Sequence, residues 1–237
     1  MRRFVSVLLV SVALAGCAST QSANPNAYVR KEIVIEPISE VTVNGPFKVM
    51  IFGTSDKSEV SFNGPANQME DAVAIVEEGA LTIEFAGDAG WSWNPGAGMN
   101  VVVHVPTLRS IALNGSGQVD VFNVKADKFA AGTGGSGSIS IEQLEAGEVQ
   151  LGIGGSGSIE AKGTATTAQM GVGGSGSIEA KRLRVETAQI GIGGSGSIYA
   201  DVSQKAEIGV GGSGRVEVVG GAECVFAEAQ ASQIECR

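Results

Sequence analysis

Serines and carboxylates are the residues here whose type and spacing could do chemistry, and both recur on a period. Serine sits inside a Gly-Ser-Gly signature at Ser116, Ser136, Ser156, Ser175, Ser195 and Ser213, in steps of 20, 20, 19, 20 and 18 residues. A hydroxyl becomes a nucleophile only beside a base that takes its proton. The one histidine, His104, would have to choose among six equivalent serines, and nothing marks one of them. The G-x-S-x-G elbow also fails, because Gly154-Gly155-Ser156-Gly157 is followed by Ser158. Among the acids, Asp120, Glu160, Glu179 and Glu217 share a repeat position with Ser140 and Tyr199, and Glu142, Lys162, Lys181 and Asp201 lie beside them. Paired carboxylates on one face could cleave a polysaccharide, with Glu160 and Glu179 as candidates. The other reading is a solvated ladder of charge. Repetition favours the ladder, since an active site is one asymmetric constellation. A polysaccharide lyase or hydrolase is therefore the alternative, and a non-enzymatic protein the main expectation.

The elements that must position these residues follow from the same period. A unit of about twenty residues repeated along the chain is a solenoid coil stacked on itself. In Leu151 to Ala161 the odd positions are Leu, Ile, Gly, Gly, Ile and Ala, whereas the even ones are Gly, Gly, Ser, Ser and Glu. Strict alternation turns the first set inward and the second outward along a strand. Stacking the coils predicts three inward columns. They are Leu151, Met170, Ile190, Ile208; Ile153, Val172, Ile192, Val210; and Val119, Ile139, Ile159, Ile178, Ile198, Val216. Such aliphatic ladders suit a parallel β-helix whose coils lie about 4.8 Å apart. The corner glycines allow unusual φ/ψ and close backbone approach, and the corner serines can bond along the stack or to turn amides. The calcium-binding nonapeptide repeat lacks its Asp and its period here. No Gly-Lys-Ser/Thr phosphate loop exists either. No metal or cofactor is expected.

The first residues read as an address. Arg2 and Arg3 precede an apolar stretch, Phe4 to Leu14, too short to span a bilayer. Leu14-Ala15-Gly16-Cys17 then resembles the lipobox of bacterial lipoproteins. That resemblance implies cleavage before Cys17, acylation of its thiol and new amino terminus, and a membrane anchor. Ala18 after the cysteine implies the outer membrane in a Gram-negative cell, facing the periplasm or the cell surface. Without Arg2 and Arg3 the chain keeps 14 basic and 25 acidic residues, a net −11, with no basic cluster. This excludes nucleic acid as a partner and opposes docking on anionic lipid by charge.

Cys224 and Cys236 form an even pair in an exported chain. They either bond and pin the last coil or remain two buried thiols. Trp91 and Trp93 flank Ser92 ahead of Asn94-Pro95-Gly96. They either cover the mouth of the solenoid or stack on a glycan. Homo-association through the flat Gly/Ser face is a further expectation.

Ahead of the repeat, short alternating runs at 33–35, 41–43, 47–51, 60–62, 81–85 and 101–105 read as strands, with a short helix or a further strand within 66–76. Three stretches here carry a family resemblance. They are Val43-Asn44-Gly45-Pro46-Phe47-Lys48-Val49, Gly79-Ala80-Leu81-Thr82-Ile83, and Val101-Val102-Val103-His104-Val105-Pro106-Thr107-Leu108-Arg109-Ser110-Ile111. Followed by Gly-Ser-Gly coils, they resemble the bacterial head GIN domain, or putative auto-transporter adhesin, family over residues 33 to 221. The resemblance implies a right-handed β-helix-like fold in an extracytoplasmic, often lipid-anchored protein without a catalytic motif. The expected organisation is a signal peptide at 1–16, a tether at 17–30, N-terminal strands of the solenoid at 31–106, regular coils at 107–221 and a C-terminal cap at 222–237. The expected partners are the membrane, through the anchor, and a glycan or an envelope protein.

Overall fold

The structure is a computed structural model that describes residues 27–86, 98–228 and 234–237. Its regular part is a parallel β-solenoid. β8 (Ser110–Asn114) opens it, and β9 (Gln118–Thr133), β10 (Ser138–Ile153), β11 (Ser158–Val172), β12 (Ser177–Ile192), β13 (Ser197–Val210) and β14 (Arg215–Val219) stack in sequence order. Each long strand bends to supply more than one wall. The bends fall near Asn123 (φ 54°), Gln143 (φ 59°) and Gly163 (φ 138°), and the register shifts between Ile141 and Leu144.

The three inward columns form as the alternation requires. Leu151 pairs with Met170, Met170 with Ile190 and Ile190 with Ile208. Ile139, Ile159, Ile178, Ile198 and Val216 are all at most 1% exposed. Burying each such side chain contributes about 1.5–3 kcal/mol, and aliphatic residue on aliphatic residue fixes the register. One column has an exception. Thr133 stands between Leu113 and Ile153, is buried, and its Oγ1 has no hydrogen-bond partner among the described residues.

The corner glycines are explained by close approach. A Cβ on Gly155, Gly174, Gly194 or Gly212 would lie 2.1–2.3 Å from the carbonyl oxygen of the equivalent glycine one coil earlier. None of these four has a left-handed φ. Any side chain would push the coils apart and break the ladder that rounds the corner, in which Ser156, Ser175 and Ser195 donate their amides to Gly135, Gly155 and Gly174 at 3.0 Å.

The N-terminal third stacks out of sequence order. β2 (Glu40–Asn44) and β3 (Lys48–Phe52) form a coil that lies against β8 and β9 on one side. On its other side lie β6 (Ala80–Phe85) and β7 (Asn100–His104), so a later stretch is the outermost coil. Antiparallel strands then end the stack: β4 (Glu59–Pro65) on β7, β1 (Tyr28–Val34) on β4, and β5 (Ala72–Glu77) on β6. The parallel solenoid therefore holds for the regular coils and also for the β2–β3 and β6–β7 coils, and among the described strands only β1, β4 and β5 run antiparallel to the strand they lie on. Reversed strands stop the stack from propagating, as capping units do in repeat proteins. The helix-or-strand choice at 66–76 resolves into both, with α1 (Ala66–Met69) leading into β5. β1 begins at Tyr28, inside the stretch read as tether, because residues 28–30 pair with Pro65, Gly64 and Asn63.

At the other end β15 (Glu223–Glu228) pairs with β13 and β16 (Ile234–Cys236) with β14. Cys224 and Cys236 are joined there, with Cα atoms 6.6 Å apart.

Candidate functional site

Three outward surfaces run the length of the stack. The first is the corner. All six serines, Ser116, Ser136, Ser156, Ser175, Ser195 and Ser213, are exposed. Their hydroxyls make no hydrogen bond among the described residues. The side-chain bond along the stack belongs to the next serine column instead, where Ser197 Oγ lies 3.2 Å from Ser177 Oγ. His104 is far in character from a triad base: its ring stacks on Phe52 at 4.9 Å, and Phe52 stacks on Phe122 at 5.2 Å.

The second surface carries the carboxylates. Asp120, Ser140, Glu160, Glu179, Tyr199, Glu217 and Glu235 lie in one cross-strand row. The acids are interleaved with cations from the neighbouring positions. Glu160 is paired with Arg182, and Lys162 bridges Glu142 and Glu160. Lys181 bonds Glu217 at 2.9 Å and sits 4.7 Å from the centre of the Tyr199 ring. Ser177 donates to Glu179 at 3.3 Å. The hydrogen bond to Glu142 raises the Lys162 pKa, with desolvation working against it and the pull of Glu160 adding to it. A general acid needs a carboxyl held protonated by burial or by a like charge. Glu160 sits instead among guanidinium and ammonium groups, which is the environment of a charge ladder.

The third surface was not read from the sequence. A shallow trough of about 830 Å³ runs across five coils. Its floor is Gly132, Gly152, Gly171, Gly191 and Gly209, and Gln150, Gln169 and Gln189 stand along one side. The signal was present as Gln-x-Gly in three successive coils. At Gly152, Gly171, Gly191 and Gly209 a Cβ would meet nothing within 4 Å, so packing does not demand these glycines. Beside the trough Lys128 and Glu148 pair at 2.7 Å, and Lys205 pairs at 2.6 Å with Glu207, which lines the trough in the row of the glutamines. The lysine hydrogen bond lowers the pKa of each glutamate, and each lysine is raised in turn.

Trp91, Trp93 and Cys17 lie outside the described residues. Among the described residues no cluster of three or more His, Cys, Asp or Glu could hold a metal ion, and no helix is long and apolar enough to cross a membrane.

This is a β-solenoid whose faces repeat one chemistry from coil to coil. The chain belongs to the family described as putative auto-transporter adhesin, head GIN domain, whose model matches residues 38–222. A putative adhesin from Bacteroides fragilis NCTC 9343 shares the fold with a TM-score of 0.75 at 19% identity, over 89% of this chain and 97% of that one. A putative lipid binding protein from Parabacteroides distasonis ATCC 8503 matches with a TM-score of 0.67 at 20% identity, over 88% and 94%. A putative adhesin from Parabacteroides merdae ATCC 43184 matches at 0.66 and 14%, over 88% and 93%. No curated protein matches the chain.

Proposed function

We propose that this protein is a non-enzymatic binding and adhesion module of the cell envelope, held to a membrane by a lipid on Cys17. The observation that carries this reading is the repetition of its outward faces. A trough floored by glycine in five coils and edged by glutamine in three successive ones repeats similar contacts about 4.8 Å apart. That suits an extended partner such as a glycan, or a flat partner on another envelope protein, better than one reacting bond. Membership of an adhesin family supports it, and so does the lipobox-like Leu14-Ala15-Gly16-Cys17. The disulfide between Cys224 and Cys236 belongs to the same reading, since an exported protein meets an oxidising compartment.

The test is a screen of the purified protein on glycans, peptidoglycan and lipids, with turnover followed in parallel. Binding without product is expected. Product formation that falls with Glu160→Gln or Glu179→Gln would replace the binding reading with the enzyme. Trp91→Ala and Trp93→Ala then separate the roles of the tryptophans: lost binding at unchanged stability marks a ligand contact, and lost stability marks a cover for the core. Labelling cells with a fatty acid tests the anchor, with signal expected for the parent chain and absent in Cys17→Ser.

A further inference from the structure

The described large apolar side chains that stay exposed are confined to strands at the edges of the sheet. They are Tyr28, Val29 and Val34 on β1, Ile75 on β5, and Val225 and Phe226 on β15. The flanks of the regular coils carry none. An edge strand offers unpaired amides and carbonyls to another chain, and proteins guard such edges with charge, above all lysine. β1 and β5 differ in this respect. β1 reads YVRKEIV and carries Arg30, Lys31 and Glu32 at its middle, with Arg30 and Glu32 paired at 2.6 Å. β5 reads AVAIVE. It bonds β6 along one edge, and no strand lies on its other edge among the described residues. It holds no lysine, arginine or proline, and Ile75 is 40% exposed.

We propose that two copies of this chain join through β5, antiparallel and centred on Ile75, so that one sheet runs through both solenoids. Opposed residues in a continuous sheet point to the same face, which limits the two-fold registers. Centring on Ile75 sets it against its own copy, Ala74 against Val76 and Val73 against Glu77. Every pair is then apolar or neutral against acid. Shifting the centre to Ala74 would oppose Asp71 and Glu77, two carboxylates. Centred on Lys31, the middle residue of β1, the same operation sets two ammonium groups face to face, a destabilising pair. The self-complementary edge is therefore β5, and the occupant it fits is a second β5. Ala74 and Val76, which are only partly buried against the core, become covered by the same residues of the partner copy.

The test uses the full chain bearing Ile75→Cys. Oxidation is expected to give a disulfide-linked dimer well above the background of the parent chain, whose own cysteines are unchanged. Val34→Cys, 85% exposed on β1, is expected to stay at that background. By sedimentation velocity the parent chain should shift from monomer to dimer as concentration rises, and Ile75→Lys should hold it monomeric with its melting temperature preserved. Equal cross-linking of the two cysteine variants, or a dimer that survives Ile75→Lys, would overturn the proposal. So would a parent chain that stays monomeric throughout, or that pairs only with a strand from another protein. If Ile75→Lys fails to fold, the two cysteine variants decide alone.

Discussion

The corner of the β2–β3 coil and the corners of the regular coils make the same turn with opposite materials. In the regular coils two glycines flank each serine, and neighbouring coils approach so closely that a Cβ has no place. In the β2–β3 coil the corner is Gly45-Pro46-Phe47. Phe47 is 1% exposed and stacks on Phe85 at 4.4 Å. Beside it Asn114 donates to Asn44, and Asn44 to Glu84, each at 3.0 Å. Repetition allows one corner solution to be copied, whereas the β2–β3 coil lies between neighbours of different sequence and closes its corner with a large ring and a local polar chain. The regular coils take their stability from stacking on neighbours, the N-terminal region from specific side chains.

The comparison breaks most sharply at Phe47. Phe47→Ala removes a fully buried ring and should cost about 3–5 kcal/mol, measured by denaturant unfolding. In the coils the equivalent blow is a gain of volume. Gly194→Ala places a Cβ 2.1 Å from the Gly174 oxygen, and overpacking against backbone should cost about 3 kcal/mol. Gly193→Ala, one residue earlier and open to solvent, should stay within about 0.5 kcal/mol of the parent. Equal effects at the two glycines would remove close approach as the reason for the corner.

Replacing Cys224 and Cys236 together by serine should cost roughly 3 kcal/mol, by the chain entropy of a short loop. The loss should appear as faster hydrogen exchange in β15 and β16 while the central coils stay protected, because stacked repeats can fray from an end. Thr133→Val should add about 1 kcal/mol, since it removes a buried hydroxyl without a partner and restores the aliphatic column.

The smallest effect belongs to the exposed pair Lys128–Glu148. The Glu148 pKa is lowered, so its contribution is complete above the ordinary glutamate value and fades as pH falls through the lowered one. The Lys128 pKa is raised, so the same contribution is complete below the ordinary lysine value and is lost as pH rises through the raised one. Glu148→Gln should therefore lower the melting temperature slightly at pH 7, and the difference from the parent should vanish in acid. Exposure and salt screening keep this shift small.

Much of this was legible because the chain repeats. Leu151, Met170, Ile190 and Ile208 fall on one column by counting alone, and the structure buries all four. The glycine trough was missed at Gly152, Gly171 and Gly191 because alternation says only that these positions face outward. That they face an open furrow depends on how flat the wall is. The glycine corner was half read: unusual φ and close approach were both expected, and at Gly155, Gly174, Gly194 and Gly212 only the close approach holds, a matter of the distance to the previous coil.

The sequence by itself determined the coil period, the inward columns and the positions of the corners, because each follows from alternation within a coil and identity between coils. Only the tertiary structure decided the order of the N-terminal coils, with β2–β3 set between β8–β9 and the later β6–β7. It alone decided the antiparallel strands that end the stack. Those choices rest on pairing between segments tens of residues apart, where several orders bury similar apolar surface and local pattern cannot rank them.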